Sequence, residues 1–124
     1  MDLRVAKRTL SVSVATTALI SAAVAVSPPA RSATFQFTRT YCNAGSTFWI
    51  SCDAFWEGGA DPATALWSNG TNSWVGTTRI DPANHHTWVD GNCIPNTLFT
   101  VKVTVTDATG QSITATVPGG RACR

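Results

Sequence analysis

The sequence lacks the local motifs that usually mark an enzyme. It has no Gly-x-Ser-x-Gly segment, and its only two histidines, His85 and His86, are adjacent. Neighbouring residues on an extended chain point to opposite sides, so this pair cannot face one metal ion without a bend, and we interpret it as solvated loop residues. No serine has a motif that places it beside a base. We therefore do not expect an enzyme.

Metal ligands and paired carboxylates are equally scarce. No Cys-x-x-Cys spacing indicates zinc, and Asp81 and the Asp-Gly-Asn segment 90–92 lack the spacing of a calcium-binding loop. Asp53 and Glu57 are the only acids close enough in sequence to suggest a catalytic pair, and we interpret them as solvated side chains before the bend at Gly58. We expect no metal and no cofactor.

Basic residues are grouped only at the start of the chain, in the segment 1–8. An uncharged run, 9–26, follows, and then small residues and two prolines. This is the layout of a secretory signal peptide. A membrane anchor is the alternative, but a span needs about 20 apolar residues, and this run is short and diluted by Ser and Thr. We predict a signal peptide over 1–33, cleaved somewhere between residues 25 and 33.

The segment that would remain after cleavage, 34–124, has little net charge. It contains five basic and six acidic residues, a net charge of −1, and no basic cluster. Nucleic acid is therefore not expected as a partner, and no cysteine near the end of the signal could take a lipid. We expect a secreted, extracellular protein that is monomeric and free of the membrane.

The clearest structural signal is the alternation on both sides of the turn 107–110. Residues 99–105 alternate Phe or Val with Thr and Lys, and residues 112–117 alternate Ser or Thr with Ile, Ala and Val. Such alternation predicts two antiparallel strands with one buried and one exposed face. Asp107 and Gly110 suit the turn that joins them.

The four cysteines all lie in the exported part, and an even number in a small secreted domain indicates a disulfide framework. Sequence alone allows three pairings. Reflection through the centre of the hairpin above places Cys93 beside Cys123 at its open end. Reflection through residue 47, between two further predicted strands, pairs Cys42 with Cys52. We predict these two disulfides, worth about 4 and 3 kcal/mol in the chain-entropy model.

The other segments predict short strands and no helix longer than one turn. Strands are expected over 34–41, 47–56 and 63–68, with a short edge strand over 74–80. The segment 81–93 is predicted to be mostly loop. Short strands separated by Gly and Pro turns are typical of a sandwich or a barrel.

Two segments resemble bacterial extracellular Ig-like and PKD-like domains. "CDAFWEGGADPATALW" is similar to their second and third strands, with a Gly-Gly-x-x-Pro bend and a strand that ends in a core tryptophan, here Trp67. "GNCIPNTLFTVKVTVTDATG" is similar to their penultimate strand and hairpin. The resemblance covers roughly residues 48–117, but "WSNGTN" stands where PKD domains have Gly-Asp-Gly. It implies a small antiparallel Ig-like β-sandwich and says little about function.

Five tryptophans are unusual for so small a domain, because a sandwich core has space for one or two indoles. Trp67 is assigned to the core, and alternation puts Trp49 on the exposed face of its strand. Two interpretations stay open for the others. Trp74 and Trp88 could cover a sheet edge as a second small core, or they could join Trp49 in an aromatic contact surface.

These observations favour a non-catalytic extracellular binding module whose partner is a protein or a carbohydrate. The partner would contact the segment 69–92 through Trp74 and Trp88, with Trp49 as a third contact, since loops on a rigid sandwich often bind. The alternative is a small secreted inhibitor of an extracellular hydrolase. Its contact loop would be 91–97, which contains Cys93 and Pro95.

Overall fold

The computed structural model describes residues 33–45, 47–120 and 122–124. Apart from Ala33, the predicted signal peptide lies outside these ranges. The described residues form eight strands and one short 3-10 turn, Pro82–Asn84. The strands are β1 (Gln36–Ala44), β2 (Trp49–Glu57), β3 (Thr64–Asn69), β4 (Ser73–Val75), β5 (Arg79–Asp81), β6 (His86–Cys93), β7 (Thr100–Thr106) and β8 (Ser112–Pro118). Within the same ranges, no helix combines the length and the hydrophobicity that a membrane crossing requires.

The strands form two antiparallel sheets. The first has the order β1-β2-β6-β4, with β5 also paired to β6, and the second has the order β3-β7-β8. This is the strand order of a constant-type Ig sandwich, in which β4 and β5 share the place of the fourth strand of the larger sheet. The predicted all-β, Ig-like sandwich is confirmed.

The core lies between the two sheets and follows the alternation of the sequence. On β2 every second residue is buried from Ile50 to Trp56, and on β7 the three valines are buried. Trp67 is 3% exposed, and its Nε1 donates a hydrogen bond of 3.0 Å to Thr87 Oγ1. Because a buried indole needs a partner for its N–H, this bond lets Trp67 fill the core as predicted.

Both predicted disulfides are confirmed. The hairpin disulfide, Cys42–Cys52, joins residues that lie directly opposite each other on β1 and β2. The interlayer disulfide, Cys93–Cys123, joins the last residue of β6 in the larger sheet to the segment after β8 in the smaller one. The second pairing is therefore right, but it ties the two layers together and does not close one hairpin. The disulfides indicate an oxidising setting.

The prediction of a loop over 81–93 is wrong, because most of this segment is the central strand β6. It pairs with β2, β4 and β5. Thr87, Val89 and Cys93 point into the core, and the polar Asp-Gly-Asn segment that suggested a turn lies within the strand. Pairing on both sides outweighs this local turn preference, as is common for strands. The single edge strand predicted over 74–80 is two short strands, β4 and β5.

Candidate functional site

The outer face of the five-stranded sheet carries a group of aromatic side chains that point away from the core. Residues that pair across antiparallel strands place their side chains on the same side of the sheet. The register therefore puts six rings on this one face, and we call them the aromatic face: Tyr41, Trp49, Phe55, Trp74, His86 and Trp88. All three tryptophans of the predicted binding surface belong to it.

A cleft opens in this face at the end where β6 reaches the interlayer disulfide. Trp49 on β2 and Trp74 on β4 both pair with Asn92 on β6, so the two tryptophans flank this residue. Two strand spacings separate their Cα atoms by about 9.5 Å. The tryptophan cleft has a volume of about 360 Å³ and is lined by Trp49, Trp74, Val75, Gly76, Asp90, Gly91 and Asn92.

The two indoles at the walls of the cleft are open to solvent. Trp49 is 45% exposed and Trp74 is 52% exposed. The interpretation that Trp74 belongs to a second small core is therefore wrong. Its strand lies at the edge of the sheet, and its side chain turns outward because the neighbouring Ser73 points inward, where it is buried.

The loop before Trp49 fixes the position of this residue. The N–H of Gly45 donates to the carbonyl of Trp49 at 2.7 Å, and a Cβ atom on Gly45 would lie only 2.4 Å from Trp49 Cε3. The ring is therefore packed over the one residue type that leaves room for it. Thr47 and Phe48 both have φ of 64°, a left-handed conformation that costs a non-glycine residue about 1 kcal/mol or more.

Backbone hydrogen bonds offset that cost. The N–H of Phe48 donates to the carbonyl of Arg124 at 2.8 Å, and the carbonyl of Phe48 accepts from the N–H of Cys93 at 2.9 Å. The segment that carries Trp49 is thus tied to the end of the chain and to β6, beside the interlayer disulfide.

Trp88 lies further along β6, in a stack of rings. The His86 ring is stacked on Phe55 with centroids 4.2 Å apart and on Trp88 with centroids 4.9 Å apart. His86 Nε2 is 2.8 Å from Asp53 Oδ1, and both side chains are largely covered. Trp88 is half-buried in this stack, so it is less accessible than the two tryptophans of the cleft.

The two histidines and Asp53 are more covered than the solvated groups that the sequence suggested. His85 ends the 3-10 turn, stacks on Trp56 and places Nε2 at 2.8 Å from Asp61 Oδ1. His85 and His86 face different neighbours, as predicted for adjacent residues, but both are half-buried. Asp53 and Glu57 are four positions apart on β2, about 13 Å at the rise of a strand, so they do not form a pair.

Asp90 and Asn92 are the site residues that sequence reasoning missed. The sequence predicts a loop at these two residues, although every second residue from Thr87 to Cys93 is small or apolar enough to face a core. Arg79 on β5 lies 3.7 Å from the Asp90 carboxylate, so the charge of Asp90 is balanced locally. In the described part of the chain, no three His, Cys, Asp or Glu side chains converge as they would around a metal ion.

The second predicted contact loop, 91–97, is only partly a loop, because residues 91–93 belong to β6. Residues 94–98 follow β6, and Ile94 and Leu98 expose 39% and 73% of their surface. Cys123 holds the loop at two points, because Asn96 N–H donates to the Cys123 carbonyl and Cys123 N–H donates to the Thr97 carbonyl, at 2.7 and 2.8 Å. It is a hydrogen-bonded loop with two exposed apolar side chains.

Comparison of the chain with protein-family models, with curated proteins and with solved structures finds no match in any of the three.

Proposed function

We propose that this protein is a secreted, non-catalytic binding module with an Ig-like scaffold, and that its ligand lies in the tryptophan cleft. One observation carries the proposal: Trp49 and Trp74 stand exposed on either side of Asn92, in a cleft of about 360 Å³. Burial of a large apolar side chain contributes about 1.5 to 3 kcal/mol to folding. Two indoles left in water, one of them packed over a glycine, are better explained by contact with a partner.

The lining of the cleft supports binding over catalysis. Asp90 is the one titratable side chain among its described lining residues, and Arg79 lies beside it. General acid–base or nucleophilic chemistry needs a second group within hydrogen-bond reach. His86 is four positions from Asp90 along β6, about 13 Å away.

Secretion is supported by the two disulfides and by the signal-like segment 1–33. Disulfides form and persist in oxidising compartments. The resemblance to bacterial extracellular Ig-like domains agrees with the same location, and the aromatic contact residues lie on a sheet face that such a scaffold keeps rigid.

A nuclear magnetic resonance titration that follows the five indole N–H signals tests the proposal. The full chain is expressed through a secretory host, so that both disulfides form, and is titrated with two panels: neutral oligosaccharides from cellulose, xylan and chitin, and extended peptides that include a proline-rich one. We expect at least one probe to shift the signals of Trp49 and Trp74 while Trp67, which is buried in the core, stays unchanged. If no probe shifts either cleft indole, the proposal is overturned.

The loop 94–98, held by two backbone hydrogen bonds to Cys123, favours a second candidate function, inhibition of an extracellular hydrolase. Protein inhibitors of hydrolases present a pre-organised loop, and here Ile94 and Leu98 point outward from a loop held by Cys123. A panel of proteases and glycosidases, assayed for residual activity, tests this. Inhibition that is lost in Leu98→Ala and kept in Trp74→Ala would support it, and no inhibition across the panel would reject it.

A further inference from the structure

We propose that the occupant of the tryptophan cleft is a neutral polysaccharide chain that crosses β6. One pyranose ring stacks on Trp49 and another on Trp74, and the hydroxyls between them bond to Asn92 and Asp90. This inference rests on the proposed function, because it assumes that the cleft is the binding site.

The two indoles provide flat apolar surfaces on which the rings of a sugar chain can stack. A pyranose ring has apolar C–H faces and carries its hydroxyls around the edge, so it covers an aromatic face while its edge remains free for hydrogen bonds. The Cα atoms of Trp49 and Trp74 are about 9.5 Å apart across β6. That separation is close to the repeat of two sugar units in an extended chain, so one chain can cover both rings.

The floor between the indoles is polar and electrically balanced. Asn92, which is exposed, offers two N–H donors and a carbonyl acceptor, and Asp90 offers carboxylate acceptors. Sugar hydroxyls can both donate and accept, so they match this mixed set. Arg79, 3.7 Å from Asp90, offsets its negative charge. The cleft therefore has no net charge to attract an acidic or a basic ligand.

The backbone in the cleft favours a sugar over an extended peptide. A peptide that adds to a sheet needs free N–H and C=O groups along an edge. Here β4 is paired with β6 at Trp74 and Val75, and the N–H of Gly76 donates to the Asp90 carbonyl at 2.9 Å. On the other side of β4, Val75 N–H donates to the side chain of Asn69. A proline-rich peptide needs no such ladder and is the competing occupant.

Both walls of the cleft are set before any ligand arrives. Trp49 is packed over Gly45, and a Cβ atom on Gly91 would lie 2.2 Å from the Trp74 carbonyl, so β4 can approach β6 only at a glycine. A pre-formed site loses less conformational entropy on binding than a mobile one. A Trp49 ring held over Gly45 and a Trp74 backbone held against β6 favour ligands that are themselves stiff and flat at the right spacing, as an extended sugar chain is.

Calorimetric titration of the full, disulfide-bonded chain with oligomers of cellulose, xylan and chitin tests the inference. We expect at least one of them to bind, and Trp49→Ala and Trp74→Ala each to weaken it by about thirtyfold, the effect of losing an anchor residue. Trp74→Phe keeps a ring and should lose less. Leu66→Ala is the matched control, because Leu66 is 63% exposed on the opposite sheet. It should bind as the parent protein does, and the unshifted Trp67 indole signal reports that each variant is folded.

The possible results distinguish a failure of the sugar assignment from a failure of the proposed binding site. If the proline-rich peptide binds at the cleft indoles and no oligosaccharide does, the sugar assignment is overturned while the proposed binding module stands. If an oligosaccharide binds equally well to the Trp49→Ala and Trp74→Ala variants, both proposals fail. An affinity that falls steeply with added salt would also count against a neutral ligand, since salt screens charge–charge contacts.

Discussion

Replacement of Gly45 by alanine should release Trp49 from its place in the cleft without unfolding the protein. The new methyl carbon would lie 2.4 Å from Trp49 Cε3, whereas carbon atoms in contact are about 3.5 to 4.0 Å apart. The ring must therefore move by about 1 Å or more. Trp49 is 45% exposed, so it can turn toward solvent and lose few core contacts. We expect the free energy of unfolding to change by about 1 kcal/mol or less.

The consequence should appear at the cleft. The Trp49 indole signal in Gly45→Ala should shift, its fluorescence should become more accessible to a soluble quencher, and oligosaccharide affinity should fall by about tenfold, as expected when one of two anchors loses its fixed position. Gly76→Ala is the matched control. Gly76 also lines the cleft, but its new Cβ would lie 3.3 Å from the nearest atom, the Asp90 carbonyl oxygen, which requires only a small adjustment.

An unchanged Trp49 signal in Gly45→Ala would refute the packing argument. A loss of about 3 kcal/mol or more in stability would show that Trp49 is held as a core residue is, and that its exposure does not mark a contact site.

Three further predictions concern the scaffold. Trp88→Ala should cost about 1 to 2 kcal/mol in chemical denaturation, because Trp88 is half-buried in the ring stack, whereas a core aromatic costs about 3 kcal/mol or more. Removal of the interlayer disulfide should lower stability by about 1 kcal/mol more than removal of the hairpin disulfide, because the sequence separations are 30 and 10; an equal loss would contradict the loop-entropy argument. Hydrogen bonds, first from the Thr109 side chain and then from the Ala60 backbone, lower the pKa of Asp107 below its ordinary 3.8, so its contribution should be complete above that pH and lost as the pH falls further. Denaturation curves of Asp107→Asn should then depend less on pH in this acid range than those of the parent protein.

The parts of the fold that could be predicted are those in which neighbouring segments pair. The hairpin of β7 and β8 has an unbroken alternation and a short turn, so its register follows from local sequence. The same holds for β1 and β2, which bring Cys42 and Cys52 directly opposite each other. The resemblance to Ig-like strands predicts a core position for Trp67, and the structure confirms it, with the indole N–H bonded to Thr87.

The part that could not be predicted depends on contacts between distant segments. β6 contains Asp90, Gly91 and Asn92, which are typical of turns, and it becomes a strand because β2 and β4 pair with it from both sides. The cleft forms only when these strands pair, because Asn92 lies opposite Trp49 on β2 and opposite Trp74 on β4. Alternation therefore placed Trp49 correctly on the exposed face of its strand, but the sequence left Trp74 open between core and surface and did not bring Asp90 and Asn92 between the two.

The most direct test of the account is a measurement of nuclear Overhauser effects between a bound oligosaccharide and the indole rings of the full chain. The account predicts contacts from sugar ring C–H protons to both Trp49 and Trp74 in the same complex, because both rings line one cleft. Contacts confined to the loop 94–98, or to neither tryptophan, would contradict it.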